Sequence, residues 1–141
     1  MIALAIILTV VLTAIAALHA YWGFGGVWPG SDAADCARRI GGFRGARSMP
    51  GPAACFAVAA ALAIAALIPI FLTRQLGMLA LLAGVGVALV FLGRGVAGFT
   101  PAWRRLTPEQ PFATLDVRYY SPVCLAIGAG FVALILGEFL S

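Results

Sequence analysis

A chain of 141 residues has the length of a single domain, and its composition excludes the soluble class of proteins. Hydrophobic residues make up 63% of the chain, charged residues make up 10%, and the mean hydropathy is +1.07. These values are typical of a chain whose solvent is a lipid bilayer. The net charge of +4 would favour a nucleic-acid partner in a soluble protein. Here the excess charge has a membrane explanation, so we expect no nucleic-acid partner.

Four apolar segments are long enough to cross a bilayer as helices, which takes about 20 residues each. They predict helices over 2–22, 52–73, 76–98 and 122–140. Strands are excluded because lipid offers backbone groups no partner outside helices and closed barrels, and these segments lack the alternation of a barrel strand. The expected fold is all-α. It is an integral membrane four-helix bundle forming a single domain over 1–141, with an interfacial cap made by the connections 23–51 and 94–120.

The first predicted helix ends in residues that differ from its aliphatic body. Tyr21 and Trp22 are typical of an interfacial aromatic belt, and no basic residue precedes the apolar run, so we expect an anchor rather than a cleaved signal peptide. His19 lies about one turn inside this boundary, where a histidine needs a partner. Two roles are open for it: a hydrogen bond that packs one helix against another, or contact with a ligand or a proton.

The arginines predict the orientation of the chain. Eight of the nine lie in the two cap connections, and one lies between the second and third helices. They are Arg38, Arg39, Arg44, Arg47, Arg94, Arg104, Arg105 and Arg118 in the cap, and Arg74 at the other end. Because short basic loops stay on the cytoplasmic side, we expect a multi-pass protein of the bacterial inner membrane with both termini periplasmic.

Local signals divide the cap further. The run 31–35 predicts the N-cap and the first turn of a short helix. Ser121 and Pro122 predict the start of the last helix, as its N-cap and first residue. The segment 112–120 mixes apolar and polar residues without a clean period, so we expect it to lie along the interface.

Small residues at about four-residue spacing predict the helix contacts inside the membrane, because helices in lipid associate by close backbone approach. They are Ala57, Ala61 and Ala65 in the second helix, Ala80, Gly84 and Ala88 in the third, and Ala126, Gly130 and Ala133 in the fourth. The same pattern would suit a homodimer interface, and packing within one chain is the simpler interpretation.

Four short motifs resemble a known family. They read LHAYW at 18–22, RGVAGF at 94–99, PFATLD at 111–116 and YSPVCL at 120–125. With these motifs the chain resembles, over nearly its whole length, the bacterial membrane family known as domain of unknown function 3995. The block before the last helix is the most specific part of the resemblance. It implies a small four-helix membrane protein and brings no established activity.

The polar and aromatic residues of the cap form the candidate site. We expect ligand contacts from His19, Tyr21, Trp22, Arg94, Trp103, Asp116, Arg118, Tyr119 and Tyr120. Arg94 ends a membrane helix and Asp116 is the nearest acid in the same connection, so the two are expected to pair. The pair has two interpretations. It is either a structural ion pair that fixes the cap to the bundle, or part of a pocket whose rings hold an apolar body while Arg94 holds the head.

No metal or cofactor is expected. Three cysteines and His19 lie toward the cap, but their spacing differs from that of known zinc sites, and one histidine does not provide paired haem ligands. Proton-coupled transport is disfavoured because no ionisable residue lies near the bilayer midplane. Glu138 is expected to pair with Arg74 at the outer interface.

These observations favour a non-catalytic membrane module that binds, at its cytoplasmic face, a lipid-like molecule or a larger membrane protein complex. Membrane lipids are its expected partners, with a protein complex or a homodimer as further ones. No catalytic residue can be assigned. The alternative is a small membrane enzyme acting on a lipid or isoprenoid head group. In that case His19 or Tyr120 would act as acid–base and Arg94 would stabilise charge.

Overall fold

The computed structural model describes residues 1–74 and 77–140, and every element within them is helical. The elements are α1 (Ile2–Gly23), α2 (Ala33–Ile40), α3 (Pro52–Thr73), α4 (Gly77–Ala97), α5 (Pro101–Leu106), α6 (Phe112–Leu115), a π-helical turn (Asp116–Tyr120) and α7 (Ser121–Leu140). Four stretches are long and apolar enough to cross a membrane: α1, α3, α4 and the continuous helix Phe112–Gly137. The predicted all-α membrane bundle is confirmed.

The four long helices form two tight pairs. α1 packs mainly on α3, and α4 packs mainly on α7. The pairs meet in one core whose most buried members are Leu12, Phe131 and Leu134. The Thr9 hydroxyl adds a 2.9 Å hydrogen bond to the Ala66 carbonyl, which ties α1 to α3 within the apolar zone. Outside this core, large side chains such as Leu79 and Leu89 are exposed along the helices, as expected for surfaces that face lipid.

Glycines allow α4 and α7 to approach closely. A Cβ at Gly95 would lie 2.6 Å from Leu125 Cγ, and a Cβ at Gly128 would lie 2.7 Å from Leu92 Cγ. A glycine of each helix therefore packs against a leucine of the other helix. Such close packing holds helices together in lipid, where no hydrophobic force acts between them.

The predicted small-residue contacts are confirmed only in part. Of the residues named above, those that are buried are Ala65, Gly84, Ala88 and Gly130. Those that are exposed are Ala57, Ala61, Ala126 and Ala133. α3 and α4 touch much less than the two tight pairs do. An open apolar groove of about 460 Å³ lies between them, with Ala61 and Gly86 among its lining residues.

The last helix was expected over 122–140, and α7 spans Ser121–Leu140. Ser121 is not its N-cap, however, because the chain is already helical from Phe112 and passes through the π-helical turn into α7 without a break. In that turn the Ser121 N–H donates to the Asp116 carbonyl, five residues back. Pro122 has no N–H and its ring conflicts with the carbonyl four residues earlier, and a widened turn just before it takes up that conflict. Proline therefore follows the π turn instead of starting the helix.

The connections 23–51 and 94–120 join into one cap, as predicted. α2 begins as expected, with the Asp32 carboxylate accepting a 2.8 Å hydrogen bond from the Asp35 N–H. α5 was not predicted; the Thr100 hydroxyl caps it by accepting from the Trp103 N–H at 3.3 Å.

Backbone hydrogen bonds then tie the two connections to each other. The Glu109 N–H donates to the Gly42 carbonyl at 3.1 Å, and the Arg44 N–H donates to the Leu106 carbonyl at 3.3 Å. Gly42 has a φ of +60°, and a Cβ there would overlap the Phe112 ring, so only glycine suits this crossing. The start of the last helix is thereby fixed against the first connection.

Two predictions fall outside the described residues. The third helix was expected to start at 76, and the described helix starts at Gly77. The expected pair of Arg74 with Glu138 involves a side chain outside the described set, and Arg74 itself is exposed.

Candidate functional site

The most buried charge of the cap is the carboxylate of Asp116, whose residue is only 1% exposed. Its Oδ1 accepts hydrogen bonds from Arg94 Nη2 at 2.6 Å and from the Ser121 hydroxyl at 3.1 Å. Its Oδ2 accepts one from Trp103 Nε1 at 2.9 Å. We call these four residues the inner polar cluster. They join α4, α5 and α7 at one point, because each helix contributes a donor to the same carboxylate.

Arg94 is held on several sides within this cluster. Nη1 donates to the Ser121 hydroxyl at 3.2 Å, and the guanidinium carbon lies 4.6 Å from the centroid of the Trp103 ring. A cation over an indole face gains further attraction. The predicted pairing of Arg94 with Asp116 is confirmed. Among the described residues, no buried side-chain nitrogen or oxygen lacks a partner. The inner polar cluster is thus closed by its own contacts.

Gly98 makes room for the inner polar cluster. A Cβ at this position would overlap the Ser121 hydroxyl and would lie 3.0 Å from Asp116 Oδ2. Sequence reasoning missed both Gly98 and Ser121 as members of this site. The signal that could have found Gly98 is the RGVAG run at 94–98, which places a glycine about one helical turn beyond Arg94, on the same side and just past the end of α4.

Tyr120 ties the last helix to α2. Its hydroxyl donates to the Arg39 carbonyl at 3.1 Å, and its ring lies 5.6 Å from that of Phe112. The neighbouring Tyr119 is half exposed, and its ring lies 5.5 Å from the Arg118 guanidinium. The Tyr120 hydroxyl, which is an acid–base candidate in the enzyme alternative, is therefore engaged in holding the cap together.

His19 belongs to a different part of the cap. Its Nδ1 lies 2.9 Å from the Ile15 carbonyl of its own helix, and its ring stands edge-on to Trp22 at 5.0 Å. The Trp22 indole donates to the Trp28 carbonyl at 2.7 Å, and the Tyr21 hydroxyl accepts from the Trp28 N–H at 3.3 Å. Within residues 1–74 and 77–140, no side-chain hydrogen bond or ion pair joins this group to the inner polar cluster. The predicted site is therefore divided into two.

The cysteines pack as apolar side chains. Cys36 and Cys55 are buried in a cluster with Trp22, and burial raises the pKa of the Cys36 thiol. Nearby, hydrogen bonding to Arg39 lowers the pKa of Asp35, which pairs with that guanidinium at 2.9 Å. In the part of the chain that the structure describes, no three His, Cys, Asp or Glu side chains are grouped so as to hold a metal ion.

An open pocket of about 430 Å³ lies beside the inner polar cluster, between α5 and the start of the last helix. We call it the arginine pocket. Its lining residues are Phe99, Arg104, Ala113, Thr114, Val117 and Arg118. The last four share one helical face, because positions four apart lie one above the other on a helix. The pocket therefore exists only because 112–120 is helical.

Two cations line the arginine pocket together with apolar side chains. Arg104 is positioned by a 3.3 Å hydrogen bond from Nη1 to the Ala113 carbonyl, and Arg118 lies against the Tyr119 ring. The Thr114 hydroxyl is already engaged, since it donates to Gln110 Oε1 at 2.9 Å. Of the predicted site residues only Arg118 lines this pocket. Arg104 was assigned to membrane orientation alone, and Thr114 had no signal while 112–120 was expected to be irregular.

The four membrane-length helices, the basic cap and the buried ion pair define a small four-helix integral membrane protein. A family described as "protein of unknown function (DUF3995)" matches residues 12–131. The chain belongs to this family, as its motifs indicated. Comparison with curated proteins found no match, and comparison with solved structures found none either.

Proposed function

We propose that this protein is a non-catalytic membrane module that binds a lipid-like molecule at the cap, in the arginine pocket. The observation that carries the proposal is the contrast between two neighbouring sites. The inner polar cluster is filled by its own hydrogen bonds, while the pocket beside it is open and combines two arginines with apolar walls. Pockets that bind small amphipathic molecules have this composition, largely apolar with a few polar groups that fix orientation.

The contacts of His19 and Tyr120 favour a binding module over an enzyme. His19 faces a carbonyl of its own helix and Tyr120 donates to the Arg39 carbonyl. Neither residue lines the arginine pocket. A general acid or base must lie within hydrogen-bond reach of the group that it protonates or deprotonates. These contacts therefore do not favour an acid–base role for either side chain.

We further propose that the cap faces the cytoplasm and that the protein resides in the bacterial inner membrane, with both termini periplasmic. The support is the distribution of arginine, eight residues in the cap and one at the opposite end of the bundle. Lipids of the cytoplasmic leaflet would then be within reach of the pocket. A larger membrane protein complex is the other partner that this placement would allow.

The test is to fill the pocket. Val117→Trp places an indole among the lining residues, and Val132→Trp adds the same indole to an exposed position of α7 outside the pocket. Both proteins and the wild type are purified gently and their retained molecules are identified by mass spectrometry. We expect Val117→Trp alone to lose the retained lipid.

Equal retention by all three proteins would contradict binding in this pocket. Chemical conversion of the retained molecule by the wild type, lost in Val117→Trp, would replace the module with the enzyme alternative.

A further inference from the structure

We infer that the ligand of the arginine pocket is an anionic phospholipid whose phosphate lies between the guanidinium groups of Arg104 and Arg118. This inference rests on the proposed function and names the class of lipid. It is carried by the charge balance of the pocket, by the hydrogen bonds already made around it, and by its height relative to the helix ends.

Five of the eight cap arginines make no ion pair within the described residues, and Arg104 and Arg118 are the two of these that line the arginine pocket. Asp35 pairs with Arg38 at 3.4 Å and with Arg39 at 2.9 Å, and Asp116 pairs with Arg94. Arg104 and Arg118 make no ion pair within the described residues, and no described carboxylate lines their pocket. Two like charges facing one pocket repel each other, and an anion between them removes that repulsion.

The existing hydrogen bonds leave recognition to the guanidinium groups. Arg104 uses one N–H for the Ala113 carbonyl, and a guanidinium has five. Arg118 rests on the Tyr119 ring, which leaves its edge available. The Thr114 hydroxyl already donates to Gln110. The planar fork of arginine matches the oxygens of a phosphate, so these two side chains are suited to a phosphate diester.

The height of the pocket distinguishes a phospholipid from free phosphate. α4 ends at Ala97, so Phe99 and Arg104 lie just beyond its end, and Arg118 lies in the second turn of the last membrane-length helix, which starts at Phe112. Both arginines therefore lie near the cap ends of the apolar helices, where a bound phosphate would be at the boundary between lipid head groups and hydrocarbon. The same pocket has apolar walls, Phe99 and Val117 among them, which a free phosphate would leave uncovered. A phospholipid places its phosphate on the arginines and its glycerol and first acyl carbons on the walls.

The experiment compares binding of defined lipids to the full-length protein. Phosphatidylglycerol, phosphatidylcholine and diacylglycerol are added to the purified protein in detergent, and bound lipid is counted by native mass spectrometry. We expect phosphatidylglycerol to be retained in preference to the other two. The pocket variant Arg104→Gln with Arg118→Gln is expected to lose roughly fivefold in phosphatidylglycerol affinity for each guanidinium removed.

Two matched variants serve as controls. Arg47→Gln with Arg105→Gln removes the same charge from exposed cap positions outside the pocket, and we expect it to retain the wild-type preference. Arg104→Lys with Arg118→Lys keeps the charge but loses the planar fork, so we expect it to keep the preference for phosphatidylglycerol and to bind it more weakly than the wild type. If the glutamine variant does not fold, as judged by its helix content, the wild type and the lysine variant are compared across the three lipids. Equal binding of phosphatidylglycerol and phosphatidylcholine by the wild type would then overturn the inference.

The outcomes separate the inference from the proposed function. Equal loss in the pocket and control variants would reduce the effect to general surface charge and overturn the inference. Displacement of phosphatidylglycerol by millimolar inorganic phosphate would identify free phosphate as the ligand and also overturn it. If Val117→Trp loses all lipid preference while the glutamine variant keeps the wild-type preference, the proposed function stands and the contact between the arginines and a phosphate is overturned. Retention of no lipid by any protein would overturn both.

Discussion

Arg94 and Asp116 are 22 residues apart in the chain, and their side chains meet at 2.6 Å across the connection between α4 and the last helix. The two partners differ in burial, because the carboxylate side chain is 2% exposed and the guanidinium side chain 29%. The carboxylate also accepts from Trp103 and Ser121, so it is the point to which three helices are tied. Removing it affects every one of those donors.

Asp116→Asn should therefore lower the stability of the bundle. The change strands Arg94 beside hydrocarbon, and breaking a buried pair costs up to about 3 to 5 kcal/mol, with the partial exposure of Arg94 reducing that figure. The double change Arg94→Leu with Asp116→Leu should recover much of the loss, because it removes the stranded charge. Thermal unfolding in detergent measures both.

Asp35→Asn is the matched control for this prediction. It removes a carboxylate that also pairs with arginine, but at the surface of α2, where solvent screens the pair, so we expect a smaller loss than at Asp116. The single changes Arg94→Leu and Asp116→Leu complete the comparison, and a double variant whose loss equals the sum of theirs would show that the contact does not matter to stability.

The sequence predicted the membrane helices and the Arg94–Asp116 pair because both depend on composition. Apolar segments of this length form membrane-spanning helices in lipid. A chain with only five acidic residues offers an arginine few ion-pair partners. The helix from Phe112 could not be predicted in the same way. Pro111 and Pro122 flank it with signals that usually mark helix ends, and Asp116, which begins the π turn, is held by Arg94 and Trp103 from other helices. The arginine pocket was missed for the same reason.

Gly98→Ala should destabilise the protein by about 1 to 3 kcal/mol, the usual range for overpacking a tight contact. The added methyl group would overlap the Ser121 hydroxyl and crowd the Asp116 carboxylate. Thermal unfolding in detergent measures the loss. Gly93→Ala is the control, because a Cβ there meets nothing within 4 Å and alanine favours the helix. Equal effects of the two substitutions would show that the inner polar cluster does not need the space at Gly98.

Orientation can be tested with an impermeant thiol reagent, although the native Cys36 is unsuitable for it. Cys36 is fully buried and burial raises the pKa of its thiol, so it would react slowly from either side. Ser48→Cys places a thiol at an exposed cap position, and Arg74→Cys places one at the exposed opposite end. We expect labelling of Arg74→Cys in intact cells, and labelling of Ser48→Cys only after permeabilisation. The reverse pattern would place the cap in the periplasm.

Tyr120→Phe distinguishes the module from the enzyme. It removes the 3.1 Å hydrogen bond to the Arg39 carbonyl, which should cost about 0.5 to 1.5 kcal/mol of stability. Lipid retention should be unchanged, because Tyr120 does not line the arginine pocket. Thermal unfolding and mass spectrometry of retained lipid measure the two effects.

Tyr119→Phe serves as the control, since that residue is 50% exposed and its hydroxyl makes no hydrogen bond within the described residues. Unchanged stability with altered binding or chemical conversion of the lipid in Tyr120→Phe would mean that this hydroxyl acts on the ligand, and the enzyme alternative would then be preferred.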